Sequence, residues 1–294
     1  VTSHSPSAPP SGTRSRRLRT SRGEFAVVDV PPAAGVTVRG VALLLPGYTG
    51  SKEDFTLVHE PLAARGYRTV AVDGRGQYES DGPANDESAY AQDELARDVL
   101  AQANAVGAPV HLVGHSLGGQ IARAAVLLDR SPFRSLTLVS SGPARISVSQ
   151  EQRVKLLRDA LAVMSMAECW EAILAMGPPE EVGGPARGPG GQEHLRRRWL
   201  STRPAQLLAT GRQLCVEPDR VAELAAISLP FHVLSGARDD TWPVPDLDEM
   251  ALRLEAHRTV VDGAEHSPAV DRPAPTARAL ADFWDGLAVT PRYR

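Results

Sequence analysis

One serine sits where it could act as a nucleophile. Gly114-His115-Ser116-Leu117-Gly118 fits G-x-S-x-G, the pattern of a serine on a tight strand-to-helix turn. Side chains flanking such a turn would clash, so small residues are needed at Gly114 and Gly118, and Gly119 adds room. The pattern alone is weak and needs context. A serine hydroxyl is also a poor nucleophile until a neighbouring base takes its proton. Of eight histidines, His266 in Asp262–Pro268 is the candidate. A base of this kind is oriented, and its charged form stabilised, by a carboxylate. Asp239 and Asp240 in Gly236–Pro243 both qualify. Like-charge repulsion forbids burying both beside one histidine, so one should face solvent.

Each of these residues must be delivered by an element. Val110–Val113 reads as a buried strand running into Gly114, and Leu117–Leu128 as the helix after it. Phe231–Ser235 and Arg258–Val261 read as strands, so the Asp239 and His266 loops follow strand carboxyl ends. That is where open α/β sheets bind ligands. Further strands are expected at Phe25–Val30, Val36–Arg39 (an edge strand), Val41–Leu45, Thr69–Val72 and Leu136–Val139. Helices are expected at Asp54–Arg65, Ala89–Val106, Asp246–Leu254 and Pro275–Leu287. The alternation predicts an α/β fold with a mostly parallel sheet flanked by helices. It breaks between Gly142 and about Ile227. There Val154–Met166, Cys169–Met176, Glu193–Leu200 and Pro204–Leu214 look helical, around a Gly/Pro-dense stretch, Gly177–Gly191. The expected domains are a tail (1–22), a first core part (23–141), an inserted helical cap (142–227) and a second core part (228–294).

With its motifs in place, the chain resembles the α/β-hydrolase superfamily from about Phe25 to Leu287. The resemblance rests on Leu44–Tyr48, Asp73-Gly74-Arg75-Gly76, Gly114–Gly119, Gly236–Pro243 and Gly263–Pro268. It implies a serine hydrolase with Ser116, Asp239 and His266 as a triad, in the chain order this fold uses. In relatives the acid stands three residues after the glycine of G-x-x-D-x-x-x-P, which selects Asp239. The pattern G-x-x-H-S matches Gly263–Ser267 and supports His266. The oxyanion donors would be the backbone N–H of Leu117 and, by resemblance, of Tyr48. The family often has His-Gly before that donor; this chain has Pro46-Gly47. Where relatives read D-x-R-G-x-G-x-S, Tyr78 replaces the second glycine. It would either shape the pocket or pack on the surface, the second being preferred.

The implied chemistry is cleavage of a carboxylic ester or related acyl bond through an acyl-enzyme. Thioesterase, lactonase, peptidase and cofactor-free perhydrolase activities share the triad by resemblance. A slow-turnover binding protein is a rival of another class. A serine nucleophile argues against the branches that use aspartate on epoxides and haloalkanes. In the cap, Trp170, Trp199, Leu156, Leu157, Met164, Met166, Ile173 and Met176 could line an acyl pocket; building the cap's own core is the preferred reading. Arg196-Arg197-Arg198 reads as a solvated helix face in preference to an anion attractor, and Gly183–Gly191 as a connection or a lid.

Bulk properties set outer limits. The 294 residues suit one large domain, and 42% apolar content supplies a core without metals or disulfides. Net charge is −3, too near neutral for a dedicated nucleic-acid binder. The partner expected is a small-molecule acyl substrate, with neither nucleic acid nor membrane. Cys169 and Cys215 fit no metal or redox spacing and read as free thiols. No metal or cofactor is expected. No run reaches the length of a membrane helix and no secretory h-region is seen, so a cytoplasmic location is expected. Val1–Arg22, rich in Ser, Pro and Arg, is expected to be disordered. Arg14, Arg16, Arg17, Arg19 and Arg22 could instead form a basic arm.

Overall fold

Eight strands form one sheet in the computed structural model, which describes residues 12–175 and 189–289. In chain order they are β1 (Arg14–Thr20), β2 (Gly23–Val30), β3 (Gly40–Leu45), β4 (Tyr67–Val72), β5 (Val110–His115), β6 (Phe133–Val139), β7 (Phe231–Gly236) and β8 (His257–Val261). The spatial order is β1-β2-β4-β3-β5-β6-β7-β8. β1–β2 and β2–β4 pair antiparallel, and every other neighbour is parallel. The central strands are apolar runs because helices cover both faces.

The helices are α1 (Thr56–Ala64), α2 (Gln92–Val106), α3 (Leu117–Leu128), α4 (Val148–Leu161), α5 (Met166–Ala175), α6 (Pro189–Ser201), α7 (Pro204–Val216), α8 (Val221–Ala225), α9 (Val244–Arg253), α10 (Pro268–Asp271) and α11 (Pro273–Val289). α1 and α11 bury Leu62 and Trp284 against one sheet face. α2, α3 and α9 bury Val99, Ala122 and Met250 against the other. α4–α7 lie between β6 and β7 in the chain. They share a core of Cys169, Trp170, Leu195, Trp199 and Leu207, with Leu157, Met164, Met166 and Ile173 packed on it. Of the residues named for an acyl pocket, Trp170, Trp199, Leu157, Met164, Met166 and Ile173 thus pack on one another, while Leu156 is exposed. Met176 lies outside the described residues, as does most of Gly177–Gly191.

Three expectations need correction. Residues 14–20 are a strand and not a disordered tail; only residues 1–11 of that stretch lie outside the described set. Four of the five arginines named for a basic arm have partners within the fold, Arg19 at its exposed surface. Arg16 pairs with Asp29, Arg19 with Glu24, and Arg22 with Glu94 and Asp98, while Arg17 donates to the Glu79 carbonyl. Second, Val36–Arg39 is not a strand. β1 occupies the sheet edge beside β2, and Val38 stays 67% exposed. Third, the helix expected at Val154–Met166 begins at Val148 and stops at Leu161. A new helix starts behind Ser165, which exchanges hydrogen bonds with Glu168. Ser165-Met166-Ala167-Glu168 is a capping box.

Candidate active site

The three residues singled out from separate loops meet at the carboxyl edge of the sheet. Ser116 Oγ lies 3.1 Å from His266 Nε2. His266 Nδ1 lies 3.0 Å from both oxygens of Asp239. A carboxylate only accepts, so Nδ1 carries the proton and Nε2 is left to accept from the serine. Asp239 is held by more than the histidine: its Oδ1 also accepts from the N–H groups of Thr241 (2.9 Å) and Trp242 (3.2 Å). The Asp239 side chain is fully buried. Asp240 is the exposed one, taking a hydrogen bond from Gln150 at 2.8 Å.

The turn that presents Ser116 is strained. Its φ and ψ are 53° and −119°, a region that costs a non-glycine residue about 1–3 kcal/mol. Surrounding contacts allow no relaxation. A Cβ on Gly114 would fall 2.3 Å from the Gly118 carbonyl oxygen, and one on Gly118 2.5 Å from that of Pro46. Both glycines are therefore required for the close crossing of β5, α3 and the loop after β3.

Of the two backbone donors expected from the sequence, one follows the serine directly and the loop carrying the other runs beside it. Leu117 is the first residue of α3, so its N–H has no acceptor within the helix. The Pro46-Gly47-Tyr48 loop runs beside Ser116: a Cβ on Gly47 would stand 3.3 Å from the Ser116 Cβ. The Tyr48 ring reaches up to the inserted helices, its hydroxyl donating to the Leu207 carbonyl at 2.8 Å. A cleft of about 250 Å³ opens beside His266, walled by Gln150, Arg153, Thr241 and Ser267 among others. The residues that line it are all polar or charged.

Three further residues were missed by pattern reading. His115 Nε2 donates to the His266 carbonyl at 2.8 Å, linking the serine turn to the base loop. It occupies a variable position of the motif, so nothing in the pattern marks it. Lys52 is buried and binds Asp73 (2.7 Å), Glu53 (2.8 Å) and Glu79 (2.8 Å). Burial works against its charge, but Asp73 and Glu53 more than offset this and raise its pKa. Its ammonium also sits 4.5 Å from the centre of the Tyr78 ring. Tyr78 is thus not a surface residue; it is 7% exposed and edge-on to His194 of α6. Gln77, the third, spans two loops: its amide accepts from Gly74 N–H at 3.0 Å and donates to the Gly47 carbonyl at 2.9 Å. Arg198 corrects another expectation. It is no free cation but reaches down to Asp54 at 2.7 Å.

A serine on a strained turn, backed by histidine and aspartate at the carboxyl edge of a mostly parallel sheet, defines the α/β-fold hydrolases as a class. The model of the Alpha/beta hydrolase family matches residues 42–279. The chain belongs to that family. It is 31% identical over 243 residues to a pimeloyl-[acyl-carrier protein] methyl ester esterase of Aeromonas hydrophila subsp. hydrophila, covering 76% of this chain and 87% of that one. It is 25% identical over 252 residues to Lipase 3 of a Moraxella species, covering 83% and 77%. Among solved structures, a thermophilic esterase from Thermogutta terrifontis superposes with a TM-score of 0.73 at 20% identity, covering 93% of this chain and 99% of that one.

No three or more His, Cys, Asp or Glu side chains are grouped to hold a metal among the described residues. None of the described helices is long and apolar enough to cross a membrane. Cys169 and Cys215 are free thiols.

Proposed function

We propose that the protein is a carboxylic-ester hydrolase acting through an acyl-enzyme. Ser116 attacks the ester carbonyl while His266 takes its proton. The tetrahedral oxyanion is held by the N–H groups of Leu117 and Tyr48. His266 returns the proton to the leaving alcohol, and water then repeats the cycle in reverse on the acyl-enzyme. Asp239 fixes the imidazole tautomer and stabilises the imidazolium. The segment 142–227 acts as a cap that decides which acyl group enters. The unbroken relay from Ser116 through His266 to Asp239, at 3.1 and 3.0 Å, carries this reading. The methyl ester in the name of the Aeromonas relative supports the bond type. The substrate we infer is a small-molecule acyl ester.

A panel of nitrophenyl esters of increasing acyl length, run on wild type and Ser116→Ala, tests the proposal. Wild type should turn over at least the short members, and Ser116→Ala should fall to the background rate. Equal rates for the two proteins sink the reading.

A further inference from the structure

We infer that Gln77 is the positioning residue of the oxyanion loop. Its carboxamide holds the Gly47–Tyr48 peptide so that the Tyr48 N–H faces the reacting carbonyl. The inference rests on the ester-hydrolase reading and deepens it.

The Gly47–Tyr48 peptide is trans, so its C=O and N–H point in opposite directions from one plane. Fixing one end therefore aims the other. The Gly47 carbonyl accepts from Gln77 Nε2 at 2.9 Å and from Gly50 N–H at 3.2 Å. The first bond comes from a side chain on another loop, so it ties the peptide to a separate part of the fold. Gln77 Nε2 also lies 3.4 Å from the Tyr48 carbonyl.

The amide of Gln77 can sit only one way round. Its Oε1 faces the Gly74 N–H at 3.0 Å, which can only donate. Its NH₂ faces carbonyl oxygens, which can only accept. Turning the amide over would place donor against donor and acceptor against acceptor. The backbone of Gln77 is held too: its N–H donates to the Gly74 carbonyl at 3.0 Å, and its own carbonyl accepts from Ser80 N–H at 2.8 Å. At 6% exposure, water competes little for these bonds. This answers how a loop reading Pro46-Gly47 is anchored from outside: the departure at Pro46 is met by a glutamine in the loop after β4.

The test compares wild type with Gln77→Leu, which removes the donor, and Gln77→Glu, which keeps shape and the Gly74 contact while setting an oxygen against the Gly47 carbonyl. An oxyanion donor acts in the transition state more than in substrate binding. Both variants should lose kcat by about 10- to 100-fold, short of the ~10²–10³ seen when a donor is deleted outright, with KM moving less than about threefold. The inhibition constant of an alkyl boronic acid, whose Ser116 adduct is tetrahedral, should rise by the same factor as kcat/KM falls. A purely structural glutamine would lower the thermal midpoint without that parallel. An active wild type whose variants keep their rate, or lose rate with unchanged boronate affinity, overturns the role of Gln77 alone. A wild type that neither cleaves esters nor binds the boronate overturns the ester-hydrolase reading as well.

Discussion

Asp239 and Asp240 are adjacent, identical in type and equally plausible as turn residues, yet the fold gives them opposite environments. The backbone N–H groups of Thr241 and Trp242 gather on Asp239 Oδ1, which turns that carboxylate inward to His266. Asp240 is left facing solvent and Gln150. Asparagine at 239 would keep its oxygen on the two backbone donors and bring its NH₂ within 3.0 Å of Nδ1. The favoured histidine tautomer then carries its proton on Nε2, where it cannot accept from Ser116. Asp239→Asn should cost kcat about 10³–10⁴-fold, while Asp240→Asn should stay within about threefold of wild type. Steady-state kinetics on one short ester separates the two, and a comparable loss in both variants contradicts the assignment. The residues themselves leave this choice open; family register makes it, and the two backbone donors supply its physical reason. Ser116 and His266 are more legible, because a small-residue turn and a loop after a strand are local features. Gln77, His115 and Lys52 are not, since each acts through a contact made only after distant loops meet.

The elements divide along the same line. β3–β7 and the helices beside them announce themselves through apolar runs and helical spacing, because burial on two faces leaves a strong compositional mark. β1 leaves almost none. In Arg-Ser-Arg-Arg-Leu-Arg-Thr only Leu18 is buried, and an edge strand can carry charge on both faces. What makes it a strand is its pairing with β2 and the carboxylates that meet its arginines. Asp29 is central to this. It binds Arg16 of β1 at 2.9 Å and Arg68 of β4 at 2.7 Å. Burial would raise its pKa, but hydrogen bonds from Arg68 and Arg16 hold it below the usual carboxylate range. Removing the carboxylate leaves two half-buried guanidinium groups facing one another. Asp29→Ala should therefore destabilise the protein by about 1–3 kcal/mol in urea unfolding. Amide exchange should rise first in residues 14–20, since β1 pairs with β2 alone and Asp29 is the β2 residue that meets Arg16. Unchanged exchange in β1 would show that the pairing does not depend on Asp29. The inserted helices were legible as helices, but their breaks were not: polar Ser149–Arg153 hides the start of α4, and the capping box at Ser165 marks a boundary that apolar spacing runs across.

For the molecule as a whole, the sheet face under α1 and α11 makes stability depend on acidity. Three histidines are buried there without a carboxylate partner. His59 of α1 bonds Thr69 (2.7 Å), His111 of β5 bonds Ser135 (2.8 Å), and His232 of β7 bonds Thr259 (2.9 Å). His111 also stacks on Trp284, with ring centres 4.9 Å apart. Burial pushes their pKa values down, to about 4 for His59 and about 3 for His111 and His232. In the unfolded chain each would titrate near 6.5. Between those values the unfolded state binds protons that the native state refuses, so stability falls as pH falls. The contribution is fully present above about pH 6.5 and is lost down to the folded pKa values, at up to ~1.4 kcal/mol per pH unit for each histidine. Near pH 5 the three together give a slope of about 4 kcal/mol per unit. Urea midpoints followed by circular dichroism at pH 7 and pH 5 should therefore drop steeply. His111→Phe keeps a ring against Trp284 and removes one titrating group, so it should take away about a third of that slope. A midpoint that does not move between pH 7 and 5 would mean that these histidines are protonated alike in both states. Because the unfolding slope comes from the face opposite α3, it should persist in Ser116→Ala, which leaves His59, His111 and His232 in place.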